Sequence, residues 1–402
     1  AQPLAEALRG LGPAWLRYPG GEKSDFHRFA PPPYAAPAPY ALGWYATVPG
    51  AKLDFDAYLR LCRATRAEPY VVVACDSPAR TGASWDEQLQ HAVAWVRYAA
   101  GTAGPRVRRW EIGNENWHNG TAAPAEMAAQ VVRFARAMKA ADPSILVGAS
   151  GNDATWWTAF LPAAAADLDF LSVSVYNCWQ WRGYDRLLRL PEPDLLGAAG
   201  TALAAIDALP DARTRQRLQV VVAETNSVDY SEGGWSRSND LGHAIVTFES
   251  LGAMLRQPRI AAAMLWNTRW IDDAEAQRDQ FYAFDAANRP TPAGMAVALW
   301  GRHLRSRLVA VEGGGPGLRV HASQDGSGTS LWLVNRTPDA VAGITCRLAG
   351  RLRAWCFTGS GPTDTAPTLT ELATPDHDSA GSITLTCPAT SITVLRADLS
   401  TR

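Results

Sequence analysis

Short apolar runs alternate with segments of helical periodicity along the first three quarters of the chain. Seven runs have the length of a β-strand, and they occupy residues 14–20, 70–74, 106–110, 145–149, 170–176, 220–223 and 262–266. Several are continuously apolar, which is typical of parallel strands buried on both faces. Between the runs, apolar positions recur every three or four residues, as an amphipathic helix requires. Strands that alternate with helices predict an α/β fold with a parallel sheet.

Local signals mark where several of these helices begin and end. Ser84 and Glu87 have the spacing of a capping box, so a helix is predicted to start there. Pro124 suits the first turn of the next helix. The pair Asp142–Pro143 predicts its end, because the residue before a proline avoids the helical region. Further helices are predicted over residues 3–10 and 55–66.

The pattern changes after about residue 302. Short runs bounded by turn residues occupy residues 317–322, 330–335, 344–348, 353–357 and 382–386. This pattern of short runs and turns predicts an antiparallel β-sandwich of about 100 residues that ends in a strand over residues 388–395. We therefore divide the chain into an α/β domain over residues 1–302 and an accessory β-sandwich over residues 303–402.

Charge and hydropathy exclude several classes of protein. The 402 residues carry 38 basic and 39 acidic side chains, a net charge of -1, so no electrostatic case exists for a nucleic-acid partner or an anionic membrane. No run of 18 or more apolar residues suggests a membrane span, and residues 1–20 lack the pattern of a signal peptide. We expect that any export signal has already been removed, and we therefore expect a secreted or periplasmic protein rather than a cytoplasmic one. The oligomeric state is left open.

Six cysteines are scattered along the chain, without the clustering that a zinc site needs. Most lie in apolar surroundings, so we expect buried free thiols. One disulfide within Cys346, Cys356 and Cys387 is kept as an alternative. No metal or organic cofactor is implied.

Two predicted strands end in a carboxylate. Residues 109–116 read Arg-Trp-Glu-Ile-Gly-Asn-Glu-Asn, where Gly113 permits a bend and Glu115 follows the strand. Residues 219–226 read Gln-Val-Val-Val-Ala-Glu-Thr-Asn, with Glu224 after four apolar residues. Two strands that each end in a carboxylate suggest one active site.

Together with Leu-Arg-Tyr-Pro-Gly-Gly at residues 16–21, these motifs resemble the clan A retaining glycoside hydrolases. They look most similar to families 51 and 39, the α-L-arabinofuranosidase and β-xylosidase type, over about 300 residues. The resemblance implies a (β/α)8 barrel in which Asn-Glu closes strand four and the later glutamate closes strand seven. It also implies a carbohydrate substrate, cleaved at the C-terminal face of the barrel.

The resemblance assigns a role to each matching residue. Glu115 would be the acid/base and Glu224 the nucleophile, about 5 Å apart as in retaining enzymes. Arg17 would keep the nucleophile charged, and Asn114 would bind the hydroxyl next to the anomeric carbon. The further substrate-binding candidates are Tyr176, which would donate to the nucleophile, Trp266 as the aromatic floor, and Trp179.

The strand count falls one short of eight. The two acidic motifs lie on the third and sixth visible strands, whereas the clan places them on the fourth and seventh. The simplest interpretation is that the barrel's first strand is not evident in this chain. The alternative is that residues 1–13 close the barrel irregularly.

Several other polar and aromatic residues are candidates for the site. Glu111 lies inside the predicted strand, so we expect a buried, paired structural carboxylate. Glu22, Asp25 and His27 are interpreted as solvated loop charges, with a role in a subsite as the alternative. The pairs Trp156–Trp157 and Trp179–Trp181, with Trp235 and Trp270, are as compatible with packing as with sugar stacking.

Two positions depart from the arabinofuranosidase pattern. Ser174 stands where some of those enzymes carry histidine, and residues 20–25 are more charged than their usual Gly-Gly-Asn type continuation. Both departures weaken the prediction of a furanoside substrate. The prediction is a retaining glycoside hydrolase, with two alternatives: a non-catalytic carbohydrate-binding protein on the same barrel, or a transglycosylase. The sugar, the linkage and exo or endo action depend on loops 22–49, 151–158, 177–194 and 227–240.

Overall fold

The computed structural model describes residues 2–32, 53–176, 184, 192–227, 239–269, 282–315, 317–373 and 382–399. Trp179, Trp181, Trp235 and Trp270, which were candidates for sugar stacking, lie outside these residues, as does Cys178. Within the described part, no helix is both long and apolar enough to span a bilayer.

A seven-stranded parallel sheet, in sequential order from β1 to β7, forms the first part of the fold. Its strands are β1 Trp15–Tyr18, β2 Glu68–Val73, β3 Arg109–Ile112, β4 Leu146–Ser150, β5 Phe170–Val175, β6 Gln219–Thr225 and β7 Ile260–Leu265. All seven predicted strands are confirmed. The third begins at Arg109 rather than at residue 106, because its pairing with β2 starts with Arg109 opposite Tyr70.

Helices follow the strands and cover the outside of the sheet. They are α1 Leu4–Leu11, α2 Lys23–Phe26, α3 Phe55–Thr65, α4 Pro78–Thr81, α5 Trp85–Gly101, α6 Pro124–Ala141, α7 Ala154–Ala164, α8 Ala198–Asp207, α9 Ala212–Arg217, α10 Leu241–Leu255 and α11 Pro292–Gly301, with a 3₁₀ turn at Glu192–Leu195. The predicted cap of α5 is present, since the Ser84 side chain accepts a hydrogen bond from the Glu87 backbone N–H. Pro124 opens α6, and the helix ends before Asp142 as expected.

The two edge strands of the sheet, β1 and β7, are not hydrogen-bonded to each other as a strand pair among the described residues. Helix α1 packs beside this seam, where Ala7, Leu8 and Leu11 share one apolar cluster with Leu16 of β1 and Leu265 of β7. Residues 4–11 therefore cover the seam as a helix on the outer surface. They add no strand to the sheet.

The C-terminal part is an antiparallel sandwich, as predicted. A six-stranded sheet has the order β13-β12-β15-β10-β9-β8 and faces the two-stranded sheet β11-β14. The strands are β8 Arg307–Val309, β9 Leu318–Asp325, β10 Gly328–Asn335, β11 Val341–Arg347, β12 Arg351–Thr358, β13 Thr368–Leu372, β14 Ser382–Cys387 and β15 Ser391–Asp398. The last strand starts three residues later than predicted and is central, because it pairs with both β10 and β12.

The described cysteines are all free thiols, so the alternative disulfide within the sandwich is not formed. Cys62, Cys75, Cys356 and Cys387 are buried, as expected, whereas Cys346 is partly exposed. Burial raises the pKa of Cys387 to about 11, which makes its thiolate form scarce at neutral pH.

An aromatic and charged contact joins the sandwich to the barrel. Trp300 of α11 packs against Phe248 of α10 and against Trp332 of β10, each at 4.6 Å between ring centroids. Beside them, the buried Glu249 lies 2.8 Å from His321 Nε2 and 3.0 Å from Arg319 Nε, both on β9. Burial acts to raise the pKa of Glu249, but His321 and Arg319 outweigh it, and the net pKa is lowered.

We expect Glu249→Gln to lower the free energy of unfolding by about 3 kcal/mol, because it leaves the largely buried guanidinium of Arg319 without its carboxylate. Urea denaturation followed by tryptophan fluorescence measures this. Since the folded-state pKa is lowered, the stabilisation is present above about pH 4.5, the ordinary value, and is lost as the pH falls through the folded-state pKa.

The matched control is Glu371→Gln, which removes an exposed carboxylate paired with Arg353 in the same sandwich. That change is expected to cost less than about 1 kcal/mol. Equal effects of the two substitutions would contradict a specific role for the buried pair.

Candidate active site

Glu115 is presented by a strained turn at the end of β3. Gly113 has φ +75°, and a Cβ there would lie 2.0 Å from the Asn116 side-chain oxygen, so only glycine fits. Glu115 itself has φ +45°, which is unusual for a residue with a side chain. The Asn116 side chain donates to the Cys75 carbonyl at 2.9 Å and ties the turn to the end of β2. Neighbouring strands thus hold the backbone that carries Glu115.

Glu224 lies buried at the end of β6, between two donors. Arg17 Nη1 donates to its Oε1 at 2.7 Å, and the Tyr176 hydroxyl donates to its Oε2 at 2.8 Å. The pairing of β5 with β6 shifts by one residue here, so that Ser174 lies opposite Glu224. Both oxygens of this carboxylate are therefore held.

The Arg17 guanidinium connects three strands inside the sheet. Besides Glu224, it donates from Nε to Glu111 Oε2 at 2.9 Å and from Nη2 to Asn114 Oδ1 at 2.7 Å. Glu111 also accepts a hydrogen bond from the Ser172 hydroxyl at 2.6 Å. The prediction that Glu111 is a buried, paired structural carboxylate is confirmed. Burial acts to lower the pKa of Arg17. The charges of Glu111 and Glu224 outweigh this effect, so the net pKa is raised and the guanidinium stays charged.

The electrostatics of the site couple Glu115 to Glu224. Burial, and after it the charge of Glu115, raise the pKa of Glu224 to about 7, although Arg17 and Tyr176 oppose the shift. Burial also raises the pKa of Glu115. Two such carboxyls resist ionising together, so the pair retains one proton below neutral pH. Because Arg17 and Tyr176 contact Glu224 directly, they favour the charge there and the proton on Glu115.

Trp266 completes one side of the site. Its ring lies 6.2 Å from that of Tyr176 in an edge-on arrangement, and the peptide bond to Asn267 is cis. The Trp266 carbonyl accepts a hydrogen bond from Asn226 Nδ2 at 2.5 Å. The structure therefore brings Trp266 and Tyr176 to the carboxyl ends of β5, β6 and β7, next to Glu224.

Residues 22–27 are less exposed than the sequence predicts. Asp25 is fully buried and contacts Arg80 at 2.8 Å, so its interpretation as a solvated loop charge is wrong. His27 packs against Trp95, with ring centroids 4.8 Å apart, and burial lowers its pKa to about 3. The short helix α2 turns the Asp25 side chain inward, and His27 directly follows this helix. Glu22 alone of the three keeps a substantially exposed side chain, at 39%.

Arg80 and Asp76 were not among the sequence candidates. Arg80 lies 2.6 Å from the fully buried Asp76, 2.8 Å from Asp25 and 2.7 Å from Glu22. Asp25 in turn accepts a hydrogen bond from the Asn114 backbone N–H at 3.0 Å. The sequence did contain a signal, because Asp76 follows the apolar strand β2 at the same distance at which Glu115 follows β3.

Trp156 and Trp157 are both buried, so they serve packing. Trp156 donates to the Ser150 carbonyl at 3.2 Å, and its ring stacks on Phe160. Among the described residues, no group of three or more His, Cys, Asp or Glu side chains is arranged to hold a metal ion.

Comparisons by sequence point to one group of enzymes. No family model matches the chain. A probable α-L-arabinofuranosidase C of Aspergillus niger is 29% identical over 175 residues, which are 38% of this chain and 32% of the relative. An intracellular exo-α-(1→5)-L-arabinofuranosidase of Bifidobacterium longum is 25% identical over 237 residues, which are 54% of this chain and 41% of the relative. The chain matches only about a third of the length of the first of these relatives.

Comparisons by structure cover nearly the whole chain. The arabinose complex of α-L-arabinofuranosidase from Thermotoga maritima has a TM-score of 0.73 at 21% identity, covering 98% of this chain and 89% of that one. A family 30 endoxylanase of Clostridium papyrosolvens has a TM-score of 0.56 at 14% identity, covering 85% and 82%. These likenesses confirm a TIM-barrel fold with a C-terminal sandwich, and with the sequence matches they confirm the resemblance to clan A glycoside hydrolases.

We expect Gly113→Ala to lower the free energy of unfolding by about 2 kcal/mol or more, since an alanine must adopt a strained backbone conformation and displace Asn116. Urea denaturation measures the loss. The control is Gly101→Ala at the end of α5, where a Cβ meets nothing within 4 Å. The free energy of unfolding of that variant is expected to equal or slightly exceed that of the wild type. A Gly113 variant as stable as the control would refute the steric argument.

Proposed function

We propose that this chain is a retaining glycoside hydrolase that acts by double displacement, with Glu115 as acid/base and Glu224 as nucleophile. One observation carries the proposal: two electrostatically coupled carboxyls stand at the ends of β3 and β6, and only Glu224 is held by both Arg17 and Tyr176. The mechanism needs one ionised and one protonated carboxyl group, and this asymmetry favours the ionised form of Glu224 and the protonated form of Glu115.

The first half of the reaction forms a covalent intermediate. The Glu224 carboxylate attacks the anomeric carbon while Glu115 transfers its proton to the leaving oxygen, so the glycosidic bond breaks as the glycosyl ester forms. In the second half, the Glu115 carboxylate accepts a proton from water, whose oxygen attacks the same carbon and releases Glu224. Two inversions restore the original anomeric configuration.

The surrounding residues are assigned to sugar binding. Asn114 accepts from Arg17 through its oxygen, while its amide nitrogen is buried and has no hydrogen-bond partner among the described residues. We assign that nitrogen to the hydroxyl next to the anomeric carbon. Trp266 is proposed as the apolar floor under the ring and Tyr176 as the donor that orients Glu224. Trp179 stays a prediction, since it lies outside the described residues.

The proposed substrate class is a pentose glycoside within an oligo- or polysaccharide, with α-L-arabinofuranosides as the first choice. The names of the relatives by sequence support this choice. Ser174 and Glu22 depart from the arabinofuranosidase pattern, and therefore β-xylosides are the second class. Action outside the cytoplasm also stays a prediction, to be tested by cell fractionation.

The first test of the proposal is Glu224→Gln on a panel of aryl glycosides and polysaccharides. We expect the variant to lose roughly 10⁴-fold or more in kcat, because no nucleophile replaces the carboxylate. The anomer of the first product of the wild type, observed by NMR, is expected to be retained. Inverted product, or an active variant, would contradict the assignment.

The same products separate the rival functions. Glycosides longer than the substrate would indicate that a sugar hydroxyl attacks the intermediate, as in a transglycosylase. Binding of glycans without turnover on any member of the panel would favour a non-catalytic carbohydrate-binding protein.

The pH dependence of kcat/KM tests the shared proton. We expect activity to fall as the pH rises through about 7, when the pair loses its proton. In Glu115→Ala, a dinitrophenyl glycoside needs no proton on its leaving group, so this alkaline decline of the glycosylation step should disappear. The acidic limb should move to lower pH, because the negative charge that raises the pKa of Glu224 is gone. An unchanged profile would contradict the coupling.

A further inference from the structure

Asp25 holds the backbone immediately before Glu115. It is fully buried, and its Oδ1 accepts a hydrogen bond from the Asn114 backbone N–H at 3.0 Å. Asp25 belongs to the segment after β1, whereas Asn114 lies 89 positions later, in the turn after β3. A side chain with no exposed surface does not contact a bound sugar. Any effect of Asp25 on the reaction therefore passes through Asn114 to the residue that follows it.

The backbone that Asp25 holds is strained at Glu115. Glu115 has φ +45°, a conformation that persists only where the surrounding contacts impose it. On its C-terminal side, the Asn116 backbone N–H donates to the Ser150 hydroxyl at 3.2 Å. On its N-terminal side, the Asn114 N–H donates to Asp25. Hydrogen bonds from two other segments of the chain thus hold both flanks of Glu115.

Arg80 holds Asp25 in place. Its Nη1 donates to Asp25 Oδ2 at 2.8 Å and to the fully buried Asp76 at 2.6 Å. The guanidinium also lies 4.9 Å from the centre of the Phe26 ring. Burial raises the pKa of Asp25 to about 8, although Arg80 opposes the shift. Oδ1 keeps a lone pair for the Asn114 N–H in both protonation states, so the contact to the turn does not depend on the charge.

The segment that carries Arg80 is itself tied to α5. The Gln88 side chain accepts the Asp76 backbone N–H at 2.9 Å and donates to the Asp76 carbonyl at 2.8 Å. The same amide donates to Thr81 Oγ1 at 3.1 Å, next to Arg80 in α4. A group that positions a functional side chain must itself be fixed by packing and hydrogen bonds. Arg80 meets this requirement through its neighbours on both sides.

We propose that Asp25, held by Arg80, is a positioning residue for the proposed acid/base Glu115. By fixing the Asn114 N–H, it keeps Glu115 where its carboxyl proton can pass to the leaving oxygen. The Asn114 side chain is fixed separately, because Arg17 donates to its Oδ1 at 2.7 Å. The inference rests on the proposed glycosidase function and adds a residue to its mechanism. Losing Asp25 should therefore impair proton transfer more than sugar binding.

The variant to test is Asp25→Leu, which keeps the branched shape of the side chain and removes both acceptor oxygens. Arg80 retains Asp76 as a partner, so no buried cation is left unpaired. Two aryl glycosides of the sugar that the wild type hydrolyses best are compared: a phenyl leaving group needs a proton, and a dinitrophenyl group does not. We expect kcat/KM to fall roughly 10-fold or more further for the phenyl than for the dinitrophenyl glycoside.

The matched control is Asp169→Leu. Asp169 also accepts a strand N–H, that of Val147 at 2.9 Å, and is also held by a cation, Lys139, at 2.8 Å. It directly precedes β5, at the opposite end of the barrel from Glu115. A loss of stability alone lowers the rates for both glycosides by the same factor, so the control should keep the wild-type ratio. Thermal denaturation verifies that each variant is folded.

Asp25→Asn is the second variant, and it decides the question if Asp25→Leu does not fold. Its amide oxygen can accept from only one of the two donors, Arg80 or the Asn114 N–H. The guanidinium should win, because that hydrogen bond is charge-assisted. The amide nitrogen is then turned toward the Asn114 N–H, and the hydrogen bond to the turn is lost in a side chain of unchanged shape. We expect the same dependence on the leaving group.

The Glu115→Ala variant separates this inference from the proposed function, because removing the acid itself should give the largest dependence on the leaving group. If Glu115→Ala shows that dependence and folded Asp25→Asn stays within about twofold of the wild-type ratio, the role of Asp25 alone is overturned. Equal losses on both glycosides in the Asp25 variants would also overturn it. A wild type that hydrolyses no glycoside, or a Glu115→Ala variant without the dependence, would overturn the proposed function as well.

Discussion

The buried guanidinium of Arg17 is the interaction on which the rest of the site depends. It belongs to β1, and its acceptors Glu111, Asn114 and Glu224 belong to β3, the turn after it, and β6. Removing a charged carboxylate from water costs several kcal/mol, and without Arg17 two such groups would be buried unpaired. The hydrogen bonds that organise the proposed chemistry therefore also hold the interior of the barrel together at this end.

The turn after β3 places a functional group at a cost in backbone strain. Gly113 and Glu115 both have positive φ, and the second of these is unfavourable for a residue with a side chain. The surrounding contacts offset that strain: Asn116 is tied to the Cys75 carbonyl, and the Asn114 N–H is tied to Asp25. Asp25 is itself held by Arg80, so a second ion cluster, that of Arg80 with its carboxylate partners, also supports the turn. Arg17 thus fixes the Asn114 side chain directly, and Arg80 fixes the Asn114 backbone N–H through Asp25.

The sequence motifs located the proposed catalytic pair but not the residues that support it. Glu115 and Glu224 follow apolar strands and match a known order of motifs, so both periodicity and resemblance indicate them. Arg80 lies in a short helix with no motif around it, and its three carboxylate partners come from two separate segments of chain. For the same reason Asp25 was interpreted as a solvated charge. Charge and loop composition suggest exposure, whereas the turn of α2 buries the side chain against a distant arginine.

The sequence by itself determined the alternation of strands and helices, the sandwich that follows, and the identity of the two carboxylates, because each is encoded in a local pattern of a few residues. The tertiary structure alone decided which oxygen of Glu224 meets Arg17 and which meets Tyr176, how α1 lies along the seam between β1 and β7, and which charges are buried. Those properties arise from contacts between residues far apart in the chain; Arg17 and Glu224, for example, are 207 positions apart. Burial and pairing depend on where the chain returns in space, which no local pattern records.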